Sequence, residues 1–460
     1  MSKKLWGGRF KKKTDKAFEA FSRSVQFDYK LAEYDVFHSQ IHVLALKAAR
    51  ILTATEAGRL MKVLDGILLD ISRGRFKPDG DCEDIHSDIQ NRVHKKAGKL
   101  SEKLHTLRSR NDQVAFDQQW YCLVQNARVE KMLLKVINSL NLLAEKYEYQ
   151  EFIGYTHLQR AQVIRFTDYL FAWQRMFEKD AGRLGRYGHN LFAYLGAGAL
   201  AGTALPRECY KKALKQFMKR KGWKPKKTFL VENSVAQVSD RDFVIEFLSI
   251  LAIVQTHLSR LAEDFILYAG KEFDFFDLPE EFCTGSSLMP HKKNPDFLEL
   301  MRGATGKVYG NLTAILTVMK GLPLAYNRDM QHDKEPLFSS VETVKEELQI
   351  LERFLPKVKL KTKNIEKALE DESLYATEIA EFLVMEKKVP FAQAHDIVGR
   401  LIRYAEVHRM KIRHIPVRIL RTFHPGLEPC ALEKIMRPEA AVSSKRSIPH
   451  RLPKLKKIKD

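Results

Sequence analysis

Two stretches of the chain place apolar residues at helical spacing with no glycine or proline between them. From Asn111 to Ile153, residues Val114, Trp120, Leu123, Val124, Met132, Leu133, Ile137 and Leu140 recur at helical intervals and predict a very long helix. From Asp240 to Ala269, residues Phe243, Phe247, Leu251, Val254, Leu258, Leu261 and Phe265 mark one side of a second, about 45 Å long at ~1.5 Å per residue. Helices of that length need partners along their whole length, because a lone amphipathic face stays wet. Strand patterns are scarce and no βαβ alternation appears. The expected fold is all-α, a long central helix bundle flanked by smaller N- and C-terminal helical domains. Breakers suggest boundaries at 1–110, 111–360 and 361–460. Several apolar helix faces imply burial against other subunits as well.

Composition changes this picture little. The 460 residues are 45% hydrophobic and 29% charged, ordinary for a globular chain. The N-terminus has no apolar core of a secretory signal, and the apolar run "FLSILAIV" is interrupted at Gln255 and His257. No membrane span and a cytoplasmic location are therefore expected. The five cysteines form no CxxC pair, which suggests neither a disulfide framework nor a zinc site. Cys82 and His86 alone have spacing a metal could use, and no metal is expected. The net charge of +21 is dispersed over several clusters without a nucleic-acid-reading pattern, so it reads as a solvated basic surface rather than a nucleic-acid interface.

Four stretches gather chemistry. "GSSLMPHKKNPD" (285–296) begins at glycine and carries two prolines, so it predicts a polar loop, which by itself reads as a surface turn. "KLHTLRSRNDQV" (103–114) concentrates guanidiniums and donors where the first long helix begins, suited to capping or to binding a carboxylate or phosphate. "GYTHLQRAQV" (154–163) places His157 at an expected helix start, where a histidine can be structural or can exchange protons. "GLPLAYNRDMQHDKE" (321–335) gathers polar groups after a breaker.

Together with "WGGRF" (6–10) and "SDRDF" (239–243), and in this order along the chain, these stretches resemble the fumarase/aspartase superfamily and, within it, the argininosuccinate lyases. The resemblance implies a cofactor-free β-elimination that releases fumarate, carried out by a homotetramer with shared active sites. It implies Ser286 as base, Lys292 and Asn294 as holders of the carboxylate whose charge grows, and His157 as acid with Glu299 orienting it. Ser24, His86, Arg110, Asn111, Thr156, Tyr326, Gln331 and Lys334 match substrate-contacting positions. Departures from the family pattern are His38, Leu107, Val163, Tyr194, Ala236, Cys283 and the basic tail. They leave open a weak or inactive structural relative. A sister enzyme such as an adenylosuccinate lyase shares the loop.

Overall fold

The computed structural model describes residues 12–222 and 228–447. The "WGGRF" stretch and the end of the basic tail lie outside them. The expected all-α architecture is what forms. Helices dominate, and among the described residues the strands make four two-stranded pairs. The first long helix runs Arg110–Lys146 and the second Asp242–Ala269. The first is shorter than its breaker-free stretch, because residues 147–149 turn and a strand begins at Glu151.

The chain packs into two compact units. One takes residues up to 131, 180–255 and 304–345, and the other takes 132–179, 256–303 and 346 onward. In the first unit, helix Ala32–Ala48 is buried without interruption from Tyr34 to Leu46. A helix enclosed on every side pairs most of its polar groups internally. Gln40 Nε2 donates to Asp65 Oδ1 (2.8 Å), His42 Nε2 meets the Thr106 carbonyl (2.8 Å), and Ser39 Oγ accepts from Arg108 (3.1 Å). Helix Ala54–Ser72 starts with a capping box between Thr53 and Glu56. Rings of Phe37, Phe116, Trp120, Tyr121, Phe217 and Phe338 fill the core.

The second unit contains the clearest departure from the sequence reading. Residues 154–163 are no helix start: Glu151–Thr156 and Gln159–Arg165 form an antiparallel hairpin. Its two loop residues, His157 and Leu158, both have positive φ (55° and 58°), the geometry that suits a two-residue hairpin loop to the strand twist. Gly154 serves close approach here, since a Cβ on it would lie 3.0 Å from the Gln162 carbonyl oxygen. Phe152, fully buried, anchors the hairpin among Phe166, Tyr268 and Phe275 at 5.4–5.7 Å between ring centroids. Val163 pairs with Ile153, a position where a strand residue fits well.

Helix Asp242–Ala269 is long and apolar enough to cross a membrane by length and composition, and 56% of its most apolar window is buried inside the protein. Phe243, Phe247 and Leu251 face the core of the first unit, and Leu258, Leu261 and Phe265 that of the second.

Leu107 adopts a left-handed backbone (φ 59°), stabilised by Thr203 Oγ1 donating to its carbonyl (2.7 Å). Its side chain is 42% exposed, so little packing is lost by shortening it. A left-handed residue with a Cβ costs roughly 1–2 kcal/mol that glycine avoids. Leu107→Gly is therefore expected to raise stability by about 1 kcal/mol, read as an increased midpoint of urea unfolding. An unchanged or lowered midpoint would mean the turn is not strained.

Candidate active site

In the first unit Ser24, His86, Arg110 and Lys334 are each held by a buried or capping acid. Ser24 sits where the chain enters a short helix, and its Oγ donates to Asp28 Oδ2 (2.6 Å). The other Asp28 oxygen accepts the backbone N–H of Ile85 (3.0 Å), the first residue of helix Ile85–Ala97 that carries His86. Burial pushes the Asp28 carboxyl up to about 6, against the lowering pull of His86, Ser24 and Lys334. His86 Nδ1 lies 2.9 Å from Asp35 Oδ1. Arg110 pairs through Nε with Asp84 Oδ2 (2.9 Å), while Asp84 Oδ1 caps the helix at Ser87 (2.7 Å). Lys334 Nζ pairs with Asp333 Oδ1 (2.9 Å), whose other oxygen takes Arg241 Nε (2.6 Å). Burial opposes ionisation of Asp333, but Lys334 and Arg241 outweigh it and hold the carboxyl below its ordinary range.

Three segments of this unit are tied together by backbone and side-chain bonds. Arg328 Nη2 donates to the Ser22 carbonyl (2.7 Å) and to Glu83 Oε1 (3.2 Å), and Gln331 Nε2 donates to the same carbonyl (3.2 Å). The Ser24 N–H donates to the Glu83 carbonyl (2.8 Å). Burial raises the Tyr326 hydroxyl, and the charges acting on it are those of Arg328, Asp333, Arg241 and Asp84. Asn111 Nδ2 donates to the Ala199 carbonyl (3.1 Å), within a glycine run that wraps the start of the long helix. There Asp112 Oδ1 accepts the Ala197 N–H (3.2 Å), and a Cβ on Gly198 would lie 2.1 Å from the Gly202 oxygen. Ser24, His86, Arg110, Asn111, Tyr326, Gln331 and Lys334 thus share one unit.

Thr156, His157, Ser286, Lys292, Asn294 and Glu299 belong to the second unit. The predicted loop forms as a small hairpin in which Thr284–Gly285 pairs with Lys293–Asn294. Its stem is fastened by Thr284 Oγ1 donating to Asp296 Oδ2 (2.6 Å) and by Lys293 Nζ bound to Asp277 Oδ1 (2.7 Å) and the Leu278 carbonyl (2.6 Å). Asn294 Nδ2 reaches the Gly285 carbonyl at 3.4 Å. At the loop's start, Ser286 Oγ accepts the backbone N–H groups of Leu288 (3.3 Å) and Met289 (3.1 Å). Two N–H donors on one oxygen favour its negatively charged form. Lys292, Thr156, His157 and Glu299 are exposed, and no hydrogen bond or ion pair joins His157 to Glu299 within this chain.

Cys82 and His86 do not act as a pair: Cys82 Sγ accepts from Asn91 (3.3 Å) and His86 turns to Asp35. Asp35, His86 and Asp117 do bring possible ligand atoms within 4.8 Å of one another. Arg108 and Arg110 already supply positive charge to those carboxylates, against which a metal ion would have to compete. Sequence reading missed the supporting acids Asp28, Asp35, Asp84 and Asp333. Asp84 had a usable signal as an N-cap just before "IHSDI"; Asp35 is a tertiary partner of a distant residue, and Asp28 and Asp333 each join a near neighbour, Ser24 or Lys334, to a distant group.

Of the departures, His38 is fully buried with its ring 4.6 Å from that of Phe116. Burial and Arg108 hold it well below its ordinary range and keep it neutral. Ala236 is exposed in the first turn of helix Ser234–Ser239, which Asn233 caps through the Ala236 N–H (3.1 Å).

A family profile described as "Lyase" matches residues 8–310, and one described as "Argininosuccinate lyase C-terminal" matches residues 373–443. The argininosuccinate lyase of Caldanaerobacter subterraneus subsp. tengcongensis is 43% identical over 434 residues, covering 94% of this chain and 96% of its own. That of Syntrophotalea carbinolica is 42% identical over 450 residues, covering 97% and 95%. The fold is shared with class II fumarase from Schistosoma mansoni (TM-score 0.77, 16% identity, 94% of this chain and 95% of that one). It is also shared with the fumarate lyase:delta crystallin of Brucella melitensis bound to cobalt (TM-score 0.76, 18% identity, 94% of each). With the lyase profile spanning more than half of the chain and these relatives matching it almost end to end, the chain belongs to the argininosuccinate lyase family of the fumarase/aspartase superfamily.

Proposed function

We propose that the protein splits argininosuccinate into L-arginine and fumarate by β-elimination, as a step of arginine biosynthesis. The proton beside the departing C–N bond is weakly acidic, so the developing carbanion needs fixed donors on its carboxylate rather than a redox or electron-sink cofactor. Ser286 takes the proton, and Lys292 and Asn294 hold that carboxylate. His157, paired with Glu299, protonates the leaving guanidine. Ser24, His86, Arg110, Asn111, Thr156, Tyr326, Gln331 and Lys334 bind the substrate's remaining carboxylates, ammonium and guanidinium. The observation that carries this reading is Ser286 Oγ accepting two backbone N–H groups, the environment a serine needs to act as an oxyanion base.

The working form in this reading is a homotetramer with shared active sites, in which His157 and Glu299 meet across subunits. Helix Thr305–Met319 supports assembly: it is largely apolar, yet only Val308 and Ile315 are buried, and Tyr309 and Leu316 stand exposed. All five cysteines are free, which supports a reducing cytoplasmic setting. Purified protein given argininosuccinate is expected to release fumarate, read by ultraviolet absorbance, together with one arginine per fumarate. Fumarate from adenylosuccinate instead would move the assignment to the sister activity, and turnover of neither by a folded oligomer would overturn it.

A further inference from the structure

His86 is almost wholly enclosed (2% exposed), and its two ring nitrogens differ sharply. Nδ1 faces carboxylates: Asp35 Oδ1 at 2.9 Å and Asp117 Oδ2 at 3.5 Å, the second too long for a good hydrogen bond. Nε2 is buried and has no hydrogen-bond partner. Asp35 is fully enclosed on helix Ala32–Ala48, and its Oδ1 also accepts Gln113 Nε2 (2.7 Å). Arg110 donates to the other end of that amide (2.9 Å), which fixes the amide's orientation. Burial works against an ionised Asp35, but the hydrogen bond from His86 and the charges of Arg108 and Arg110 outweigh it and keep the carboxyl well below the usual range. Asp117, buried beside Asp35, is instead pushed well above that range. At 2.9 Å against 3.5 Å, the acid hydrogen-bonded to His86 Nδ1 is Asp35 alone, and a carboxylate can only accept.

We propose that Asp35 is a positioning residue that fixes His86 as its Nδ1–H tautomer, so that Nε2 presents a bare lone pair to an N–H group of the bound substrate. The other candidate contacts of this unit are rich in donors: Arg110, Asn111, Gln331 and Lys334. A ligand carrying a guanidinium and an ammonium needs acceptors as well, and an enclosed imidazole nitrogen without a partner supplies one. The inference rests on the lyase reading. It assigns His86 to the nitrogen-bearing part of the substrate and not to its carboxylates, which the opposite tautomer would favour.

The test is a double-mutant cycle in the full oligomer, with kcat and KM for argininosuccinate measured for wild type, Asp35→Asn, His86→Gln and the double variant. Asp35→Asn is expected to lower kcat/KM at least about tenfold, as losses of outer-shell partners do, and to add nothing to His86→Gln in the double variant. Losses that multiply would show that Asp35 supports the fold independently of His86 and would overturn the proposal. Ring-nitrogen NMR of histidine-labelled wild type, assigned with His86→Gln, needs no Asp35 variant. A bare Nε2 beside a protonated Nδ1 supports the proposal, and a protonated Nε2, whether or not Nδ1 is also protonated, overturns it. If wild type turns over no argininosuccinate, the lyase reading fails and the substrate assignment fails with it, while the ring nitrogens still decide the tautomer.

Discussion

Replacing Ser286 with alanine is expected to lower the turnover of argininosuccinate by about 10²–10⁴-fold, the range a positioned proton-transfer group contributes, with oligomeric state and helicity unchanged. The side chain is half-buried, and its Oγ accepts from Leu288 and Met289 within a loop whose stem is fastened independently by Asp296, Asp277 and the Leu278 carbonyl. The small hairpin that presents the loop should therefore survive the loss of one hydroxyl, and the loss should fall on kcat more than on KM. Retention of more than about a tenth of the wild-type rate, set against that expected range, would remove Ser286 as the base. Steady-state kinetics alongside size-exclusion chromatography make the comparison.

Asp333→Asn should have the largest effect on stability. Arg241, Asp333 and Lys334 are all nearly enclosed, and the one carboxylate faces both cations. Neutralising it leaves two buried positive charges without a counter-charge. Breaking a buried pair from one side typically costs about 3–5 kcal/mol, far more than any exposed ion pair contributes. A drop of many degrees in the thermal midpoint is expected, with loss of activity through the freed Lys334. By contrast, breaking the exposed pair of Arg400 with Asp396 by Asp396→Asn serves as the control and should change the midpoint little. Equal effects of the two variants would show that the enclosed triad is not held by charge.

The hairpin of residues 151–165 shows where reading along the chain goes astray. Gly154 followed by Thr156 and His157 has the composition of a helix start, and nothing local distinguishes it from one. The strand pairing is selected by Phe152 entering an aromatic cluster that includes Tyr268 and Phe275, more than a hundred positions away, and by a close approach of backbones that Gly154 eases. The 285–296 loop was legible because glycine and proline act locally on backbone angles. Its attachment through Lys293 to Asp277 was not, since a lysine's partner is a matter of folding and not of spacing.

By itself the sequence determined the helical architecture, because a 3.6-residue apolar period over thirty or more positions has one stable solution, a helix packed along its length. It also determined the set of chemical groups, since motifs carry residue types. Only the tertiary structure decided how those groups are held: which acid stands behind Ser24, His86, Arg110 and Lys334, which nitrogen of His86 meets a carboxylate, and that Leu107 takes a glycine's backbone angle. The physical reason is range. Backbone propensity and periodicity act over a few residues, whereas burial and charge pairing also join groups from distant parts of the chain, such as Asp35 with His86 and Arg241 with Asp333.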